Sequence, residues 1–207
     1  MTDKIINGVK DYYTQKIKEN GVGAKGVDWN SKESQYLRFK ELCGVIKQES
    51  FTILDYGCGY GELINYLNLI YANFQYTGFD ISEEMLSEAY TAFSKFPNAK
   101  FINEINNVKV DYVIGSGLFN VKLNLANEEE WQNYILNTLR EMDKISNLGF
   151  SFNALTKYSD KEFLKDYLFY SDPLILFDYC KRNFSKNVAL LHDYDLYEFT
   201  IIVRKDG

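Results

Sequence analysis

Along the first 47 residues, apolar positions recur at helical spacing. Ile5, Val9, Tyr12, Tyr13 and Ile17 mark one helix, and a glycine-bearing segment with Gly21, Gly23 and Gly26 follows. Phe39, Leu42, Cys43 and Ile46 mark a second helix, and Asn30 with Glu33 three positions on predicts its opening by a capping box. From residue 51 the period changes. Short apolar runs at 51–56, 74–80, 100–103, 110–116 and 148–153 predict strands, and helical stripes fall between most of them. Ser82, Asn127 and Asp172-Pro173 stand at the starts of three of those helices, Pro173 in the first helical position. Two last apolar runs, 188–192 and 197–203, flank a tight acidic turn and predict an antiparallel hairpin.

Seven strands alternating in this way predict an α/β fold: a mostly parallel sheet with helices on both faces and a C-terminal antiparallel hairpin. No Pro/Gly/Ser-rich linker or internal repeat interrupts the pattern, so one domain over 1–207 is expected, a helical cap (1–47) on an α/β core (51–205). No apolar run approaches the ~18 residues of a membrane span. Asp3, Lys4, Asn7 and Lys10 break the apolar character that a signal peptide would need. A cytoplasmic protein without a membrane partner is expected.

Composition narrows the chemistry. The chain has one histidine, His192, and three scattered cysteines, Cys43, Cys58 and Cys180. These do not make the four close ligands of a structural zinc site, and no metal is expected. An odd number of widely spaced cysteines is no disulfide framework and suggests a reducing compartment. A net charge of −6 argues against nucleic-acid binding, which relies on cationic contacts to phosphate.

The strongest motif is Asp55-Tyr56-Gly57-Cys58-Gly59-Tyr60-Gly61 at the turn from the first core strand into the next helix. Glycines there let the backbone approach a ligand closely. Nineteen residues past Gly61, Asp80 ends the second strand, where an acid can grip both hydroxyls of a ribose. A dinucleotide fingerprint would put its third glycine at position 62, which is Glu62 here, and Asp55 would repel a pyrophosphate. The spacing G-x-G-x-G after an acid resembles the first motif of class I S-adenosylmethionine-dependent methyltransferases. Gly78-Phe79-Asp80-Ile81-Ser82 is similar to their ribose-binding segment, and the likeness runs from about residue 30 to 205. It implies a Rossmann-like sheet and S-adenosylmethionine as cofactor. Gly57, Cys58, Gly59 and Gly61 would then shape the loop under the methionine part and Asp55 would orient its ammonium. Asp80 would hold the ribose, Ile81 and Met85 would pack on adenine, and Glu104 would lie near the adenine edge. Ser116 and Gly117 would line the transfer site through their backbones. Other readings stand beside these: Asp80 and Ser82 as a helix-capping pair, Met85 as core, Glu104 as an exposed loop acid.

The acceptor is less defined. No proline lies between Pro97 and Pro173, which removes the proline-bearing motifs of nucleic-acid methyltransferases after the fourth strand. A small-molecule acceptor is expected. A hydroxyl acceptor would need a base, and His192 has the suitable pKa; the alternative is a structural histidine at the hairpin bend. Arg38 would fork onto the cofactor carboxylate or else snorkel at the surface. Trp29 would be a cofactor-side wall or a core anchor. Tyr12, Tyr13, Tyr158, Phe163, Tyr167, Phe169 and Tyr170 would line an acceptor pocket or pack as core. Two other functions remain: a catalytically inert S-adenosylmethionine- or nucleoside-binding protein, and an NAD-dependent oxidoreductase, which the glycine spacing and Asp55 oppose.

Overall fold

The computed structural model describes residues 2–27 and 31–206. Helix α1 spans Thr2–Asn20, a 3-10 turn covers Ala24–Val27, and α2 spans Lys32–Cys43. Trp29 and Asn30 lie outside the described residues. The N-cap of α2 is Ser31, whose hydroxyl accepts from the Ser34 N–H while the Ser34 side chain closes the box. The expected box therefore moves by one position and Glu33 takes no part in it; Ser31 supplies the short acceptor that a cap needs.

The alternating region follows the predicted order: β1 (Ser50–Tyr56), α3 (Glu62–Ile70), β2 (Asn73–Phe79), α4 (Glu83–Phe93), β3 (Ala99–Ile102), β4 (Val110–Gly115), α5 (Glu128–Ile145), β5 (Ser146–Leu155), α6 (Pro173–Asn183), β6 (Asn187–Leu191) and β7 (Glu198–Arg204). One sheet holds all seven strands in the order β3-β2-β1-β4-β5-β7-β6. β1 to β5 are mutually parallel, and β7 is antiparallel to both neighbours, so β6 again runs with the first five. The closing hairpin thus inserts its second strand between β5 and β6.

The sheet is covered on both faces because its central strands are apolar on both. Along β1, Ile53 packs with Phe39, Leu63 and Leu67 from α2 and α3, while Leu54 packs with Trp131 and Ile135 from α5. Ile5 of α1 and Leu176 of α6 join the second cluster. Asn127 caps α5 in a reciprocal box with Glu130, and Glu128, Glu129 and Glu130 suit the positive helix end. Asp172 caps α6 through the Leu174 N–H. The crossovers diverge at β1 and β4, which leaves a crevice outside their carboxyl ends. Among the described residues, no helix is long and apolar enough to cross a membrane, and no group of three or more His, Cys, Asp or Glu is placed to hold a metal.

Trp131 ties this frame to the crevice. It is fully buried, and its indole N–H donates to the Phe119 carbonyl at 3.1 Å. Trp131→Ala should cost about 3–5 kcal/mol, seen as a lower urea midpoint at unchanged m-value. A loss below about 1 kcal/mol would contradict this packing.

Candidate active site

The loop after β1 turns through three left-handed glycines, Gly57 (φ 73°), Gly59 (φ 53°) and Gly61 (φ 86°). Side chains rarely adopt this region, so the spacing dictates the turn. Gly57 and Cys58 donate their N–H groups to the Phe79 carbonyl at 2.8 and 2.9 Å. Gly59 donates to Asp80 Oδ2 at 2.9 Å, and Gly61 to the Cys58 carbonyl at 2.9 Å. The loop is thereby bound onto the end of β2, and these donors are used within the protein. Glu62 occupies the first turn of α3, where Tyr36 donates to it at 2.9 Å and Lys32 pairs with it at 3.2 Å. A pyrophosphate needs free loop N–H groups and an open helix N-terminus. This loop supplies neither.

Asp80 Oδ1 accepts from the Ser82 N–H at 2.8 Å and Oδ2 from Gly59, and Ser82 caps α4 through the Met85 N–H. The capping pattern and the ligand-facing acid therefore coexist in one turn. A carboxylate has about four acceptor positions, so half of Asp80's capacity could take a pair of ligand hydroxyls. Asp55 is 3% exposed, and Tyr76 donates its hydroxyl to Oδ2 at 2.7 Å. Burial pushes the Asp55 carboxyl up to about 7, the Tyr76 hydrogen bond pulls it down, and the Asp80 charge raises it. Burial also raises Asp80, against the pull of the Ser82 and Gly59 N–H groups. Among the described residues neither acid is ion-paired.

A cavity of about 550 Å³ opens over this edge. It is lined by Asp55, Gly57, Cys58, Gly59, Asp80, Ile81, Met85, Glu104, Ser116 and Gly117, ten of the residues singled out in the sequence. Gly61 is not among the lining residues. A Cβ on it would come within 3.0 Å of the Phe93 ring, so its smallness serves helix packing. Met85 belongs both to the wall and to a buried cluster with Ile17 and Tyr60. The Ser116 hydroxyl is buried with no hydrogen-bond partner among the described residues, and the Gly117 N–H donates to Asn153 Oδ1 at 2.8 Å.

Other walls, Tyr13 apart, were not apparent in the sequence. α1 contributes Ile6, Val9, Lys10 and Tyr13, and α2 contributes Gln35 and Phe39. α1 is held over the crevice by Thr14, whose hydroxyl lies 2.8 Å from that of Ser82, and by Lys18 on Glu84 at 3.0 Å. Tyr134, Asn137, Thr138 and Glu141 of α5 close the opposite side. Their signal was a polar row beside the apolar stripe of Trp131, Ile135, Leu139 and Met142.

Three expectations are corrected. Arg38 neither snorkels nor faces the cavity: its guanidinium is buried and forks onto Glu198, at 2.9 Å through Nε and 2.6 Å through Nη2. His192 follows the outermost strand, β6, four strands from β1 and roughly 19 Å away at ~4.8 Å per strand. It is exposed beside Tyr158 and Phe199, outside the cavity lining, because β7 and β5 intervene. Of the seven aromatics expected at the acceptor pocket, Tyr13 alone lines the cavity among the described residues; Tyr158, Phe163 and Tyr167 are exposed, and Phe169 packs on Trp131.

The donor set suits a ligand with a ribose diol, a cationic head and no phosphate. Residues 53–140 match the family model of a methyltransferase domain. The putative methyltransferase Rv1506c of Mycobacterium tuberculosis is 49% identical over 158 residues, 76% of this chain and 95% of that protein. Magnesium protoporphyrin IX methyltransferase from Synechocystis PCC 6803, solved with bound S-adenosylmethionine, has the same fold at TM-score 0.64 and 17% identity, covering 97% of this chain and 96% of that one. DhpI, solved as a DhpI–SAM–HEP complex, aligns at TM-score 0.63 and 12% identity over 96% of each chain.

The buried Asp55 makes the ligand-free protein pH-dependent. Its folded value near 7 lies above the ordinary 3.8, so the native state keeps a proton that the unfolded chain releases. Its contribution to stability therefore declines as pH rises from about 4 to 7. Urea unfolding of the ligand-free protein at pH 5 and pH 8 should show a smaller decline for Asp55→Asn than for the parent. Equal declines would contradict the assignment.

Proposed function

The chain belongs to the S-adenosylmethionine-dependent methyltransferases, and on that premise we propose that it methylates a small molecule admitted beneath α1. The observation that carries this reading is the lid. α1 lies across the carboxyl edge of the sheet, fastened at Ser82 and Glu84, so the acceptor has to share a cavity of about 550 Å³ with the cofactor. The wall beyond the glycine loop is mainly apolar, with Ile6, Val9, Tyr13 and Phe39.

S-adenosylmethionine, when bound, supplies an electrophilic methyl group on a sulfonium; the protein's part is binding and orientation. In our reading Asp55 faces the ammonium and Asp80 takes the ribose hydroxyls with its two remaining acceptor positions. Ile81 and Met85 pack on the adenine and Glu104 lies at its edge. Gly57, Cys58 and Gly59 form the floor, and Ser116 and Gly117 border the transfer position. Lys10, the cation among the described lining residues, takes the carboxylate role that the sequence had suggested for Arg38. Asp55, which has a hydroxyl but no cation beside it among the described residues, supports a fit to this cofactor, since it gains a charge partner when a cationic ligand enters. A hydroxyl acceptor rested on His192 as base, and no observation favours it. The reading keeps this protein in the cytoplasm, away from nucleic acid, supported by its three free, buried cysteines and its net charge of −6.

Incubation with methyl-labelled S-adenosylmethionine and a fractionated metabolite extract should move label into a small-molecule fraction. Label found only in macromolecules would overturn the small-molecule acceptor, and absence of turnover would favour an inert binding protein. Calorimetry should show S-adenosylhomocysteine binding with proton release near pH 6–7, as the ammonium draws Asp55 into its ionised form. Asp80→Ala should weaken that binding by roughly a hundredfold, the value of two hydrogen bonds to a charged group. Unchanged affinity would refute the ribose assignment.

A further inference from the structure

A chain of buried polar groups runs from α2 to the strip of backbone that borders the transfer position. Arg38 anchors itself by donating from Nη1 to the Ser34 carbonyl at 2.8 Å, and its fork holds both oxygens of Glu198. Glu198 is 2% exposed and Asn153 is fully buried. The Asn153 Nδ2 amide donates to Glu198 Oε2, and Asn153 Oδ1 accepts the Gly117 N–H at 2.8 Å. The three side chains meet because Asn153 and Glu198 sit on adjacent antiparallel strands, Asn153 opposite Thr200 and Leu155 opposite Glu198.

The chemistry of this chain has one direction. An ion-paired carboxylate only accepts, so Asn153 has to turn its NH₂ toward Glu198 and its oxygen toward Gly117. Gly117 stands at φ 73° and its N–H is thereby fixed. A trans peptide is planar, with no cis bond in the described chain, so the Ser116 carbonyl points away from Asn153, on the opposite side from that N–H. Ser116 and Gly117 both line the cavity, and the Ser116 hydroxyl has no partner among the described residues.

We propose that Arg38, Glu198 and Asn153 are positioning residues for the reaction: they lock the Ser116–Gly117 peptide so that the Ser116 carbonyl is offered to the bound ligand as a fixed hydrogen-bond acceptor. The identity of that ligand rests on the methyltransferase reading; the locking of the peptide does not. Charge at Glu198 is the determinant. With Gln at 198 one oxygen remains for three donors, the two of Arg38 and the Asn153 NH₂, and the hold on the Asn153 amide, and through it on the Gly117 N–H, weakens.

Ser116–Gly117 is the one Ser-Gly pair in the sequence, so ¹³C-carbonyl serine with ¹⁵N-glycine labelling isolates the Gly117 amide. In Glu198→Gln that resonance should shift and exchange with solvent about tenfold faster, and S-adenosylhomocysteine affinity should fall about tenfold, the worth of one hydrogen bond. Arg38→Met/Glu198→Leu replaces the ion pair by apolar side chains of similar volume. It removes both buried charges but leaves the Asn153 NH₂ without an acceptor, so it should fold with a somewhat lower melting temperature, yet still lose the Gly117 signature and the affinity, which keeps the test available if Glu198→Gln does not fold. A chain with a merely structural role would lower the melting temperature and leave the Gly117 resonance and the affinity unmoved in both variants; that result overturns the proposal. Should the parent protein bind no S-adenosylhomocysteine, the cofactor reading fails, and the Gly117 amide still decides whether the three residues hold the peptide.

Discussion

Two carboxylates near the carboxyl edge of this sheet, Asp55 and Glu198, are withdrawn from water and a third, Asp80, is half-buried in the cavity wall, and how each is compensated organises the site. Desolvating an isolated carboxylate is costly, and a group left in that state responds by taking up a proton. Glu198 has Arg38 buried against it with two hydrogen bonds. Asp55 has the Tyr76 hydroxyl and Asp80 has two backbone N–H groups. These partners satisfy lone pairs without cancelling charge. The positive charge that would cancel it is therefore left for a ligand to bring, and the empty protein carries the cost as raised carboxyl pKa values. The pattern suits a cationic cofactor and disfavours an anionic one.

The backbone makes the same discrimination independently. A glycine-rich turn at the end of a first strand is shared by many nucleotide-binding folds, and what separates them is where the loop N–H groups point. Here Gly57 and Cys58 give theirs to Phe79, and Gly59 gives its own to Asp80. The acid that faces the cavity thus also sets the shape of the loop. The next turn adds a third duty: Ser82 caps α4 and meets Thr14 of the covering helix. Covering helix, loop and cavity-facing acid meet within four residues of chain, so a change in any one is felt by the others.

The parts of this arrangement that were legible in the sequence are those governed by local rules. Glycines at 57, 59 and 61 announce a left-handed turn because side chains are strained there, and alternation of apolar runs with helical stripes announces the parallel sheet. Asn127 and Pro173 were readable as helix starts for the same reason. Misreadings arose where the partner is remote in sequence. Arg38 looked like a ligand-binding or surface arginine because Glu198 lies 160 positions away. His192 looked like a base because of its side chain alone, whereas its distance from the glycine loop is set by strand order, with β7 slipping between β5 and β6. Asn153 carried a signal that went unused: a lone amide in the apolar run from Phe150 to Ala154. A buried polar residue in such a run must have a partner, and its partner leads back to the site.

That partner also explains why an ion pair stands where packing alone would serve. Buried pairs gain little stability over apolar side chains of equal volume, because the Coulombic attraction is spent on desolvation. The neighbouring positions of β7 show what packing alone selects: Phe199, Ile201 and Val203 fill the opposite face without a polar atom. On the Arg38 face the requirement is different. An apolar side chain at 198 would leave the Asn153 NH₂ without an acceptor, so that the Gly117 N–H alone would hold the amide and leave it freer to turn. A fixed negative charge removes that freedom, because only the NH₂ end can approach it. What the pair contributes is direction: it converts the burial of Glu198 into the orientation of one amide, and through that amide into the orientation of the peptide at the mouth of the cavity.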